Sequence, residues 1–250
     1  MFEVNIKSVV IGFALLILNA CTTAPIQLEV SEGVLFFEGG TNESSMKKLV
    51  ETIESQPVEK LIISSIGGNS TYGVAIARML REKNIEVVVD RYCYSSCANY
   101  ILLGARKATV KSGAVVGFHG APDSPCDSVA FKFGPVSRFL MSDQEIEDML
   151  TVNTAKVRQD DAAFYSQVGF DGRLFSIAGH LPAYKGQVGN PLWNFAPQYY
   201  VDGGATHIIF EDSVPATVQA DGSHLVTTIY PDIDVVRQQL SEKSDEICLP

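Results

Sequence analysis

The sequence predicts an α/β fold built on a parallel sheet. Two observations carry this. Its strands read as continuous apolar runs rather than alternating ones, and strand, glycine turn, helix and strand recur in that order. A third bounds the architecture: no internal repeat or low-complexity block interrupts the 250 residues, a length that one domain with a full core accommodates.

Taken in order, Gly33–Phe37 reads as the first strand and Glu38–Glu43 as a turn rich in Gly and Asn. Ser44 opens a helix in which Met46, Leu49, Val50 and Ile53 recur at helical spacing, ending near Pro57. Leu61–Ser64 is a buried strand that runs into Ser65-Ile66-Gly67-Gly68-Asn69. Tyr72–Lys83, with apolar Val74, Ala77, Met79 and Leu80, is the next helix, and Glu86–Val89 the third strand. Ser95–Gly104 reads as a helix rich in small residues, reached through a turn at Tyr92–Tyr94. Short strands follow at Ala108–Val110 and Ala114–Phe118. Ser142–Val168 is a long helix whose apolar positions include Ile146, Met149, Leu150, Val157, Phe164 and Tyr165. Ala196–Val201 is a short helix before the turn Asp202-Gly203-Gly204. Thr206–Phe210 and Thr227–Tyr230 are strands, and Ile233–Leu240 is a final amphipathic helix.

The first residues read as an export leader. Lys7 lies in a short polar start, Val9–Leu18 is an apolar run, and Leu18-Asn19-Ala20-Cys21 puts a small residue before a cysteine. Ten apolar residues make a helix of about 15 Å, half the hydrocarbon thickness, which suits a signal h-region better than a membrane span. Leu18–Cys21 resembles the lipobox of bacterial lipoproteins. That resemblance implies removal of residues 1–20 and lipidation at Cys21; Thr22 after it resembles outer-membrane sorting in Gram-negative lipoproteins, facing the periplasm. The competing reading is an ordinary secretory signal cut nearby. Residues 21–32 then form a linker, and 33–250 the folded domain.

The formal net charge of -10 argues against a nucleic-acid partner, which needs a basic face. It also argues against electrostatic adhesion to anionic lipid, leaving the acyl chain as the membrane link. Beyond Cys21 stand Cys93, Cys97, Cys126 and Cys248, an even set that suits disulfides in an oxidising compartment. The zinc alternative lacks paired Cys-x-x-Cys spacing and a His cluster, so neither metal nor cofactor is implied.

Three features stand at the ends of successive strand–helix units, where open α/β folds place ligands. Gly67-Gly68 directly after a buried strand can present backbone N–H groups, as an oxyanion hole requires; such a pair is also an ordinary turn. Ser95 and Ser96 lie at a helix start, where the dipole favours developing negative charge, although one serine can be a simple N-cap. His119, flanked by Gly117 and Gly120 at a strand end, is of the residue type suited to serve as base for a serine hydroxyl.

Their order resembles the Clp-protease/crotonase superfamily, specifically its Clp-like serine peptidase branch and the related periplasmic proteins. There a strand ends in Ser-Pro-Gly-Gly, a Ser opens a helix that ends in Gly, and a His closes a later strand. Ser65-Ile66-Gly67-Gly68 matches the first motif with Ile66 in place of proline; Ser95 with Gly104 matches the second and His119 the third. The resemblance implies a Clp/crotonase-like spiral of βαβ units in a single domain. It also implies Ser95 as nucleophile, His119 as base, and oxyanion donors at Gly67 or Gly68 and Ser96.

The family's catalytic Asp aligns with His180 here; Asp171 and Asn190 are nearby candidates, and Lys132 would be needed for a Ser–Lys dyad. Cys93 and Cys97 bracket Ser95 and resemble the Cys-x-Ser-x-Cys element of the periplasmic relatives, implying a Cys93–Cys97 disulfide with Cys126–Cys248 as a second. The resulting expectation is a membrane-anchored, exported serine hydrolase acting on peptides, and the resemblance implies a homo-oligomer, since folds of this kind often form rings or trimers. Its rivals are a non-catalytic lipoprotein scaffold and, less compatible with export, an acyl-CoA enzyme.

Overall fold

The computed structural model describes residues 26–119, 159–177, 181, 184, 192–218, 222 and 226–242. The leader with Cys21, Cys126, Lys132, His180, Asn190, Cys248 and most of the expected helix before residue 159 lie outside the described residues.

The chain is mixed α/β around a parallel sheet. In chain order the strands are β1 (Gln27–Ser31), β2 (Val34–Thr41), β3 (Lys60–Gly68), β4 (Glu86–Tyr94), β5 (Ala108–Val110), β6 (Val115–Gly117), β7 (Trp193–Phe195), β8 (Ile208–Phe210) and β9 (Thr227–Ile229). Helix α1 (Glu43–Ser55) follows β2 and α2 (Ser70–Glu82) follows β3. The main sheet runs β1-β2-β3-β4-β5-β8, with β1 alone antiparallel, and β7 and β9 pair separately.

Both α1 and α2 start where the chain supplies a cap. Asn42 accepts from the Ser45 N–H at 3.0 Å and Asn69 from the Tyr72 N–H at 3.4 Å, satisfying amides that have no partner within the helix. Leu49 and Ile53 of α1 and Val74, Ile76, Ala77 and Leu80 of α2 meet Leu35, Leu61, Ile63, Val87 and Val89 of the strands in one buried core. That apolar burial is the main force holding the helices to the sheet.

Several expectations are corrected: Glu38–Thr41, read as turn, completes β2, and Ser65–Gly68, read as following the strand, completes β3. Residues 27–31, read as linker, form β1, which pairs with β2 from Gln27↔Glu38 to Ser31↔Val34. The connection is the two-residue turn Glu32-Gly33, with φ of 50° and 77°; positive angles at both positions match the twist of a tight hairpin. Residues 92–94, read as a turn, continue β4.

That continuation positions everything downstream, because β4 forks the sheet. Its lower half, Val87–Val89, pairs with β5, whereas Tyr92–Tyr94 pairs with β6.

Candidate active site

The fork brings two chain ends side by side. Tyr94 is opposite Gly117 at the end of the β4–β6 ladder, and the next amide, Ser95 N–H, donates to the Gly117 carbonyl at 2.9 Å. Ser95 is therefore the first residue past β4 and His119 the second past β6. Ser95 Oγ lies 2.5 Å from His119 Nε2.

Ser95 itself is left-handed, with φ 56°, a conformation that costs a non-glycine residue about 1–2 kcal/mol. The expected helix does not start at Ser95: this turn comes first, and Cys97–Leu102 then forms a π-helix. Cys93 at the end of β4 and Cys97 at the head of that helix are disulfide-bonded, closing the loop around Ser95. Both are fully buried.

Gly67 and Gly68 arrive from the neighbouring strand. Gly67, at φ 79°, packs so closely that a Cβ would stand 2.4 Å from the Tyr94 carbonyl oxygen, 2.7 Å from Ser95 Cβ and 2.8 Å from the Ser96 nitrogen. Only glycine fits there. Its N–H, however, donates to Ser65 Oγ at 3.1 Å; Gly67 thus holds the turn, and its amide is already engaged rather than open to a ligand. The Ser96 hydroxyl donates to the Gly68 carbonyl at 2.7 Å, tying the glycine strand to the start of the helix that follows Ser95. The Ser96 N–H sits in that helix's first turn, where amides have no intrahelical acceptor.

His119 is held from its other flank. Phe118 exchanges two backbone hydrogen bonds with Trp193, at 2.7 and 2.9 Å, and its ring packs on Phe175, Phe195 and Tyr200. Tyr199 donates to the Leu174 carbonyl at 2.9 Å and Tyr200 to Asn194 Oδ1 at 2.5 Å. Burial pushes both phenols well above the usual range, so they remain protonated donors. Asp171 caps the turn Gly172–Leu174 and grips Arg173, with 2.6 Å between Oδ2 and Nη2.

A groove of about 710 Å³ opens at the opposite end of the strands, lined by residues including Lys60, Lys83, Glu86 and Lys107. Its Glu86 already pairs with Lys60 at 3.6 Å and Lys107 at 3.2 Å. It lies at the amino ends of β3 and β4, away from Ser95.

Sequence reading missed the support beneath the π-helix. Tyr165 counted only as an apolar position, yet its hydroxyl donates to the Asn99 carbonyl at 2.9 Å. Asp161, in the same helix (159–168), accepts from Tyr100 at 3.0 Å. Periodicity marks such residues as core and is silent on their polar atoms.

No family model and no curated protein matches this chain. Solved structures do. An enoyl-CoA hydratase from Shewanella pealeana is 8% identical over 77% of this chain and 70% of its own, with a TM-score of 0.42. An enoyl-CoA hydratase/isomerase from Marinobacter aquaeolei is 9% identical over 77% and 72%, at 0.43. A ClpP1 mutant from Listeria monocytogenes is 17% identical over 72% and 92%, at 0.42. The chain spans about half the length of others, such as 46% of a methylmalonyl CoA decarboxylase. The mixed α/β architecture with its parallel sheet is read from this chain's own strand pairing.

Proposed function

We propose that the protein is a serine hydrolase acting on peptides through an acyl-enzyme. The observation that carries this reading is the 2.5 Å contact between Ser95 Oγ and His119 Nε2, at the carboxyl ends of paired parallel strands. In the proposed reaction Ser95 Oγ attacks a carbonyl carbon while His119 Nε2 takes the hydroxyl proton. The resulting oxyanion is received by the N–H groups of Gly68 and Ser96; Gly67, whose amide serves Ser65, keeps those two in place. His119 returns the proton to the leaving amine as the C–N bond breaks. Water, activated by the same imidazole, then releases the acyl group.

The proposal extends to location. The leader and Cys21 fit an exported lipoprotein held at the cell envelope by its acyl chain, facing the periplasm. A disulfide around the nucleophile fits an oxidising compartment. Metabolic labelling with a radioactive fatty acid should mark the wild type and not Cys21→Ser.

Reaction of the full-length, detergent-solubilised protein with a fluorophosphonate tests the chemistry. Adduct on Ser95, absent in Ser95→Ala and slowed about 100-fold or more in His119→Ala, supports the hydrolase. Absence of labelling in oxidised and reduced protein alike would favour the non-catalytic scaffold, for which the histidine at the family's acid position, His180, speaks.

A further inference from the structure

The serine turn is strained, and a strained turn holds its geometry only when neighbours over-determine it. On one side stand the disulfide and Gly67. On the other, two consecutive residues of the π-helix are gripped by a single helix, 159–168. Tyr165 donates its phenol hydrogen to the Asn99 carbonyl at 2.9 Å, and Tyr100 donates to Asp161 Oδ2 at 3.0 Å. The Asn99 N–H in turn donates to the Ser95 carbonyl at 2.8 Å. One residue, Asn99, separates the Tyr165 hydroxyl from the backbone of the nucleophile.

We propose that Tyr165 and Asp161 are positioning residues for Ser95, setting its hydroxyl against His119 through Asn99 and Tyr100. The inference rests on the serine-hydrolase reading. Both residues are buried, Asp161 completely, so their polar atoms are committed inside the protein and not to solvent. A π-helix sends its amides to carbonyls five residues back, as Leu103 N–H does to Ala98, and it is often found at functional sites. Its register is less firmly held than that of an α-helix, and an external donor on Asn99 selects one register. The ring of Tyr100 also packs edge-on against Phe164, with centroids 5.7 Å apart, so the same helix fixes both the height and the rotation of the segment. Releasing either grip lets Ser95 drift by a fraction of an ångström, enough to spoil alignment with the base.

The test uses full-length protein. In Tyr165→Phe, which removes one oxygen, the maximal rate of fluorophosphonate labelling at Ser95 should fall about 10-fold with the probe's affinity unchanged. Asp161→Asn should act in the same direction; if that variant fails to fold, Tyr165→Phe decides alone. The ¹⁵N resonance of His119 Nε2, which senses its bond to Ser95, should shift in Tyr165→Phe. Labelling of folded Tyr165→Phe at the wild-type rate, with only its melting temperature lowered, overturns the proposal and leaves the hydrolase reading standing. If wild type itself is not labelled, the hydrolase reading fails, and an unmoved His119 resonance in Tyr165→Phe then rejects the positioning role as well.

Discussion

Ser95 keeps a backbone angle that opposes its own side chain, and that tension makes a measurable prediction. Replacing it with glycine or with alanine removes the hydroxyl equally, but only glycine adopts φ 56° without strain. Ser95→Gly should therefore be about 1 kcal/mol more stable than Ser95→Ala in urea unfolding, and equal stability would mean the turn relaxes freely. Gly67 is the reciprocal case. A methyl group there meets backbone atoms of Tyr94 and Ser96, which cannot swing aside as a side-chain tip can. Gly67→Ala should lose about 1–3 kcal/mol and, with it, labelling at Ser95. Unchanged unfolding and labelling would show that the turn has room.

Among elements, the short loop closed by Cys93 and Cys97 has a limited entropic worth of about 2 kcal/mol. The double variant Cys93→Ala/Cys97→Ala should lose no more than that in stability. Its labelling rate per folded molecule should fall as well, since the loop contains Ser95. Because both sulfurs are fully buried, a thiol reductant should act only at the rate of local opening, measurable by quenched alkylation at native conditions. The helix at 159–168 meets the chain just past the π-helix at Gly104, where a Cβ would stand 2.5 Å from Phe164 Cζ and 3.1 Å from Ala77 Cβ. Gly104→Ala should overpack that junction and cost about 1–3 kcal/mol, read as a lowered unfolding midpoint at unchanged slope.

Over the whole molecule, His207 connects distant parts of the chain. Its Nε2–H donates to the Leu103 carbonyl at 3.1 Å, and its ring lies on Phe170 with centroids 6.3 Å apart. Burial is the largest influence on it and holds its pKa below the usual histidine value, against the partial upward pull of that hydrogen bond. The unfolded chain therefore binds the proton more readily than the folded one. This contribution to stability is complete above about pH 6.5, the unperturbed value, and is lost as pH falls through that value toward the lower folded one. Urea unfolding between pH 7 and pH 5 should show the decline, and His207→Gln should flatten it; an unaltered slope would place the proton uptake elsewhere.

The limits of sequence reading follow from the range of the forces involved. Apolar runs, helical spacing and capping residues are local, so α1, α2 and the cores of β3 and β4 were legible within a few residues of their ends. The Glu32-Gly33 hairpin was missed because Glu is a weak turn signal, although Leu28 and Val30 alternate as a half-buried strand does. Strand Tyr92–Tyr94 was unreadable because only its pairing with β6 makes it a strand. The candidate residues, Ser95, His119, Gly67, Gly68 and Ser96, and the cysteines that bracket the serine could be named from their order together with the family resemblance that order supports. Whether an amide among them is open or spent is another matter. That Gly67 gives its N–H to Ser65, that Ser95 turns left-handed, and that Tyr165 reaches the Asn99 carbonyl are decided only when distant segments pack. A hydrogen bond depends on tenths of an ångström between atoms far apart in the chain, and no local pattern encodes that distance.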